Sequence, residues 1–140
     1  MSTPSGFDLG SAPATIERED EGQVVHLNDE AGEPMYFGDN EPVTVTVTGT
    51  YSKRYRRALD AKMARSRKRR TVDIDEVRRD ALEVNAQCVI EWSGFFDSGT
   101  PLDCTKANVV KVLEAAPWIK DQIEAAMEDH AGFSRASSLD

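Results

Sequence analysis

Valine and threonine alternate from Val43 to Thr48. Period-two alternation of β-branched residues predicts a strand over residues 42–48, with the valines on a core and the threonines on a wetter side. A shorter β-prone run precedes it at Val24, Val25 and Leu27. Turn residues separate the two, first at Asn28, Asp29, Glu30, Ala31 and Gly32, then at Gly38, Asp39 and Asn40. A hairpin between these runs is the expected arrangement. A free edge on the Val/Thr strand, open to a partner strand, is the alternative.

Beyond Gly49 the period lengthens. Ser52 is a suitable N-cap, and Tyr55, Leu59 and Met63 at i, i+4 and i+8 give a first helix with one apolar stripe. It ends in Arg67, Lys68, Arg69 and Arg70, where cations suit the negative end of the helix dipole. Asp73 with Glu76 three residues on suits a capping box. Ile74, Val77, Ala81, Val84, Cys88 and Trp92 then recur at spacings of three and four, predicting a buried second helix that runs to about residue 92. Phe95 and Phe96 are expected to pin the polar connector over residues 93–103 to the core. Asp103 or Thr105 caps a third helix with Val109, Val112, Leu113 and Ala116 inside. Pro117 breaks that helix and opens a fourth. There Trp118, Ile119, Gln122, Ile123, Ala126 and Met127 share a face, and Gly132 is the expected stop.

The fold class expected is therefore mainly α within α+β: a small N-terminal β-hairpin element over residues 23–49, then a bundle of about four helices over 51–133. Residues 1–22 read as a flexible arm, residues 23–133 as the single globular domain and residues 134–140 as a polar tail.

Length and composition narrow the function. A chain of 140 residues argues for one domain with a modest core. No stretch approaches the roughly 18 consecutive apolar residues of a membrane helix. Residues 1–10 lack the basic and apolar regions of a secretory signal. Cys88 and Cys104 are too few for a disulfide scaffold and read as reduced thiols. His26 and His130 have no Cys partner at metal-ligand spacing, so no metal and no cofactor are expected. Neither a glycine-rich phosphate loop nor a nucleophile elbow occurs, which points away from an enzyme.

The net charge of −8 hides an asymmetry, because residues 53–70 hold ten Lys and Arg with Asp60 the only acid. Three readings stand: phosphate neutralisation on nucleic acid, docking on an acidic partner or another copy, and a solvated face that offsets the chain's own acids. The acidic remainder and the lack of a helix-turn-helix, zinc finger or aromatic RNA platform weigh against nucleic acid. Trp92 and Trp118 are either core residues or partner anchors. The candidate interaction residues are Trp92, Trp118, Ile119, Ile123 and Met127 on apolar faces, and Arg65, Arg67, Lys68 and Arg69 in the basic run.

Several short motifs follow one another from residue 27 to 133. They are DEAGEP at residues 29–34, a Val/Thr strand ending in Gly49, and Tyr51-Ser52 opening a charged helix with Tyr55. Then come Glu91-Trp92-Ser93-Gly94, a Gly-Thr-Pro-Leu turn at 99–102, and Thr105-Lys106-Ala107-Asn108. The series closes with Ala116-Pro117-Trp118-Ile119-Lys120-Asp121-Gln122-Ile123 and His130-Ala131-Gly132-Phe133. This order resembles the tail assembly chaperones of siphophages and related prophages. The segment before Gln23 and the dense basic run at 65–70 fall outside the resemblance. The resemblance implies a non-enzymatic assembly factor of the host cytoplasm that coats the tape measure protein, keeps it soluble and recruits tail tube subunits. It also implies absence from the finished virion, and a longer frameshifted form in many members. Self-association along the tape would add avidity. The other expectations to weigh are a structural tail or neck protein that stays in the particle, and a small nucleic-acid-binding regulator using residues 53–70.

Overall fold

The computed structural model describes residues 6–138; residues 1–5 of the expected arm and 139–140 of the expected tail lie outside the described residues. A 3-10 turn (Leu9–Ser11) leads into helix α1 (Ala12–Glu21) and strand β1 (Gln23–His26). Strands β2 (Tyr36–Phe37), β3 (Glu41–Pro42) and β4 (Thr44–Val47) follow, then helices α2 (Lys53–Arg67) and α3 (Ile74–Gln87). Strands β5 (Val89–Ser93), β6 (Phe96–Asp97) and β7 (Thr100–Pro101) precede α4 (Lys106–Ala115), α5 (Pro117–Glu128) and α6 (His130–Ser138). The fold is α+β, with six α-helices and seven short strands among the described residues. The expected hairpin plus about four helices is therefore corrected.

The first correction concerns the sheet. It has three strands, with β4 central between β1 and β5 and antiparallel to both. Val25 faces Val45, and Val45 faces Trp92. Val43, Val45 and Val47 are buried, as their alternation predicts, and join Leu27, Val89, Val109, Leu113, Ile123, Met127 and Phe133 in one core. Both edges of β4 are taken, so it offers no edge to a partner. The second strand of that pairing was hidden in the expected second helix. Helix α3 stops at Gln87, and Val89–Ser93 is a strand. Val84, Cys88 and Trp92 are four apart, a spacing that suits one face of a helix and, being even, one face of a strand as well. The β-branched pair Val89-Ile90 and the open edge of β4 settle it for the strand.

The second correction lies at the two ends. The expected arm carries α1, with Pro13 in its first turn, where a missing N–H costs nothing. The expected stop at Gly132 lies inside α6. Asp129 leaves helical geometry (φ −82°, ψ 74°) and ends α5, and its carboxylate then accepts the Gly132 N–H at 3.0 Å. A Cβ on Gly132 would overlap that carboxylate and the Gln23 amide, so glycine is there for space. Phe133 follows and is fully buried.

The third correction concerns α3. Ile74, Val77 and Ala81 were expected inside, yet all three are exposed. The buried positions are Asp80, Leu82, Val84 and Ala86. The connector after β5 is itself a small hairpin, in which Phe96–Asp97 pairs with Thr100–Pro101 around Ser98 (φ 50°) and Gly99 (φ 86°).

The start of α2 shows how the ends hold the middle. Ser52 Oγ accepts the Tyr55 N–H at 3.0 Å, the N-cap that the sequence predicts. The Asp20 carboxylate of α1 accepts the N–H groups of Lys53 and Arg54 at 3.0 and 3.1 Å, an anion at the positive end of the helix. No helix of the described residues is long and apolar enough to cross a membrane.

Candidate protein-docking site

A concavity lies between α3 and the α4–α5 corner. Thr105 starts α4 by accepting the Asn108 N–H at 3.2 Å. Ala116 ends it, and Pro117 starts α5 at once, so the chain turns a sharp corner. The corner and α3 bound a groove of about 640 Å³, with Leu82, Leu113 and Pro117 as an apolar floor. Arg78, Arg79 and Lys120 line it with Asp75, Glu76 and Glu114. Both signs of charge therefore stand over an apolar floor. That combination suits the side of an amphipathic helix, with its aliphatic residues inward and its charges on the rim.

The rim charges are only partly committed. Arg79 Nη2 lies 3.9 Å from Glu114 across the groove, a long exposed pair that contributes little to stability. The Lys120 ammonium donates to Glu124 at 2.7 Å, and that hydrogen bond raises its pKa above the ordinary lysine value. Arg78 has no ion pair among the described residues.

The structure separates the residues that the sequence grouped as candidates. Ile119, Ile123 and Met127 are 4%, 2% and 2% exposed, so they are core and present no surface. Trp92 is half-buried on β5. Its indole Nε1 donates to the Leu102 carbonyl at 2.8 Å, and its ring stacks on Phe95 with centroids 4.2 Å apart, which holds the β6–β7 hairpin against the sheet. Trp118 remains available, 40% exposed on the first turn of α5, one residue from the groove floor at Pro117.

The basic run divides in the same way. Arg65 pairs with Asp80 (3.4 Å) and Glu83 (3.3 Å). Arg69 pairs with Glu76 at 3.0 Å and also holds Asp80. These two arginines fasten α2 to α3 around a buried carboxylate. Arg67 and Lys68 are exposed, with no ion pair among the described residues. Sequence reasoning missed the groove. Its floor mixes Leu82 of α3 with Leu113 and Pro117 of the α4–α5 corner, and no local pattern says that these three meet.

The cysteines carry little reactivity. Burial pushes the Cys88 thiol above its ordinary value, and burial with the nearby Glu91 carboxylate does the same to Cys104. The nucleophilic form of a thiol is the thiolate, so both are weak nucleophiles at neutral pH. Among the described residues no three His, Cys, Asp or Glu side chains converge as a metal site requires. No family model, curated protein or solved structure matches the chain.

Proposed function

We propose that the protein is a non-enzymatic assembly chaperone of the phage tail kind, which holds helical segments of a tape measure protein and recruits tail tube subunits. The observation that carries this reading is the α3/α4–α5 groove, an apolar floor under charges of both signs. A tape measure protein is a long helical chain that exposes apolar stripes before the tube forms around it. A shallow groove used weakly by many copies shields such a stripe and releases it when tube subunits arrive. The resemblance of residues 27–133 to tail assembly chaperones supports the same reading. Its Ala116-Pro117-Trp118 motif forms the groove corner and puts the exposed indole beside it. The protein then acts in the host cytoplasm and leaves before the particle is complete.

The test is co-expression with the tape measure and tail tube proteins of the same phage or prophage, followed by pull-down and light scattering. A soluble complex with many copies per tape measure chain is the expected result, lost on Arg78→Glu with Lys120→Glu. Absence of any complex, with the chain found instead in purified particles, would make it a structural tail or neck protein.

A further inference from the structure

Helix α2 sorts its cations into two sets. Tyr55, Ala58, Leu59, Lys62 and Arg65 are buried or half-buried on its inner side. There Arg65, with Arg69 just beyond the helix, holds the carboxylates of α3. Lys53, Arg56, Arg57, Arg67 and Lys68 are exposed on the other side. None of these five has an ion pair among the described residues.

The five stand in a pattern. Successive residues step about 100° around a helix, so positions 11 apart return to the same line after about three turns. Arg56 and Arg67 share one such line, and Arg57 and Lys68 share a second. Lys68 keeps right-handed helical geometry as the C-cap (φ −83°, ψ −11°). Each row spans about 16 Å along the axis, and the two are roughly a quarter turn apart. Lys53, Asp60 and Ala64 lie between them.

A solvated face does not call for this arrangement. The chain holds 25 acids against 17 Lys and Arg, yet only Asp60 stands on this face. Lys53 repels Arg56 and Arg57 at spacings of three and four, which opposes the helix. The helix dipole accounts for Arg67 and Lys68 at the C-terminal end. It disfavours Lys53, Arg56 and Arg57, because the first turn is the positive end, and that turn has no acid of its own. A fixed external array of anions offsets both costs.

We propose that α2 lies in the major groove of duplex DNA and neutralises phosphates on both walls, without sequence preference. A helix about 10–12 Å across fits a groove about 12 Å wide, so each row of cations meets one wall. Three of the five cations are arginines, whose planar fork matches phosphate. The midline lacks the Arg, Asn or Gln that pairs with purine edges, so contact stays on the backbone. The lack of a recognition motif counts against base reading and not against phosphate contact. Tyr55 and Leu59 are turned inward, so the face between the rows offers no apolar wedge to a bilayer. Outside residues 53–70 the chain carries −17, but at 0.1 M salt acids more than about 10 Å from the duplex are largely screened. The activity uses neither the α3/α4–α5 groove nor Trp118, so its failure leaves the chaperone reading untouched.

Fluorescence anisotropy of a labelled duplex of about 20 base pairs and arbitrary sequence, titrated with the full chain between about 50 and 200 mM salt, is the test. Five neutralised phosphates give log affinity a slope of about −4.5 on log salt, or roughly 500-fold across that range. Arg56→Ala with Arg67→Ala should make the slope shallower by about 2, and so should Arg57→Ala with Lys68→Ala. Asp60→Asn should tighten binding at least ~3-fold, a gain that misfolding cannot produce. Duplex RNA of the same sequence should bind more weakly, since its major groove is too narrow for the helix. No binding at about 50 mM salt, a slope shallower than about −1, or row variants with the wild-type slope overturns the proposal. Equal retention by polyglutamate overturns it in favour of an acidic protein partner. Retention by vesicles rich in anionic phospholipid in place of the duplex overturns it in favour of a membrane surface.

Discussion

His130 Nδ1 lies 2.6 Å from Glu19 Oε2, which ties α6 to α1 through a carboxylate that is only 1% exposed. The other oxygen, Glu19 Oε1, accepts the Tyr51 N–H at 2.9 Å, and the Tyr51 ring lies flat on His130 with centroids 3.8 Å apart. Three segments distant in sequence thus meet on one side chain. The Gly49 N–H also donates to the Glu19 carbonyl, at 3.1 Å.

Gly49 is the most sensitive neighbour of this junction. A Cβ there would overlap the Glu19 carboxylate and press on the Phe133 ring. Gly49→Ala should destabilise the protein by about 2–3 kcal/mol, because an overpacked core has to shift a buried polar group as well. Urea unfolding followed by circular dichroism measures it. A loss under about 0.5 kcal/mol would mean that the carboxylate moves aside freely.

Asp80 should be worth more than the arginines it holds. It is 5% exposed, whereas the Arg65 and Arg69 side chains are 39% and 20% exposed. Asp80→Ala should cost roughly 1–3 kcal/mol, and Arg69→Met less than that. A double-mutant cycle between the two should return a coupling above about 0.5 kcal/mol. Strict additivity would show that α2 and α3 are held by apolar contact alone.

The thiols give a pH dependence with a defined sign. Burial raises Cys88 above its ordinary value of 9.0, so the unfolded chain gives up this proton at a lower pH than the folded one. Stability from the neutral buried thiol is complete below that ordinary value and is lost as pH rises through the folded value. Unfolding free energy should therefore decline above pH 9.0, with a shallower slope in Cys88→Ala. At neutral pH a thiol reagent should modify Cys104 before Cys88, since Cys88 is fully buried and Cys104 only partly. Equal rates at both would contradict this account.

The two tryptophans should report separately. Trp92 is stacked and hydrogen-bonded, and Trp118 faces solvent beside the groove. Acrylamide should quench Trp118 strongly in the free protein, and a bound tape measure segment should protect it. Trp118→Ala should weaken that binding by about 1–2 kcal/mol with little effect on folding. Quenching unchanged by a binding partner would remove Trp118 from the docking surface.

Local chemistry was the legible part of this fold. Ser52, Asp73 and Thr105 cap the helices that the sequence assigns to them, and Pro117 opens α5. Val43, Val45 and Val47 fill the core as their alternation requires. Long-range pairing was not legible. The β-strand at Val89–Ser93 exists because β4 had an edge to fill, and the helix at Ala12–Glu21 because Glu19 finds Tyr51 and His130. The same limit hid the site. Ile119, Ile123 and Met127 have the pattern of a sticky face and are core, whereas Ile74 and Val77 have the pattern of core and are exposed. Periodicity reports that a helix has an apolar side, and only tertiary packing decides what covers it.

Strands β4 and β5 are neighbours in the sheet, yet the whole α2–α3 hairpin is strung between them. The sheet fixes only the two roots of that excursion. A turn of helix added to or removed from both arms would change how far the tip reaches without altering one strand register. Reach is thus a property of the hairpin alone, and it can lengthen or shorten while the sheet and its core stay as they are.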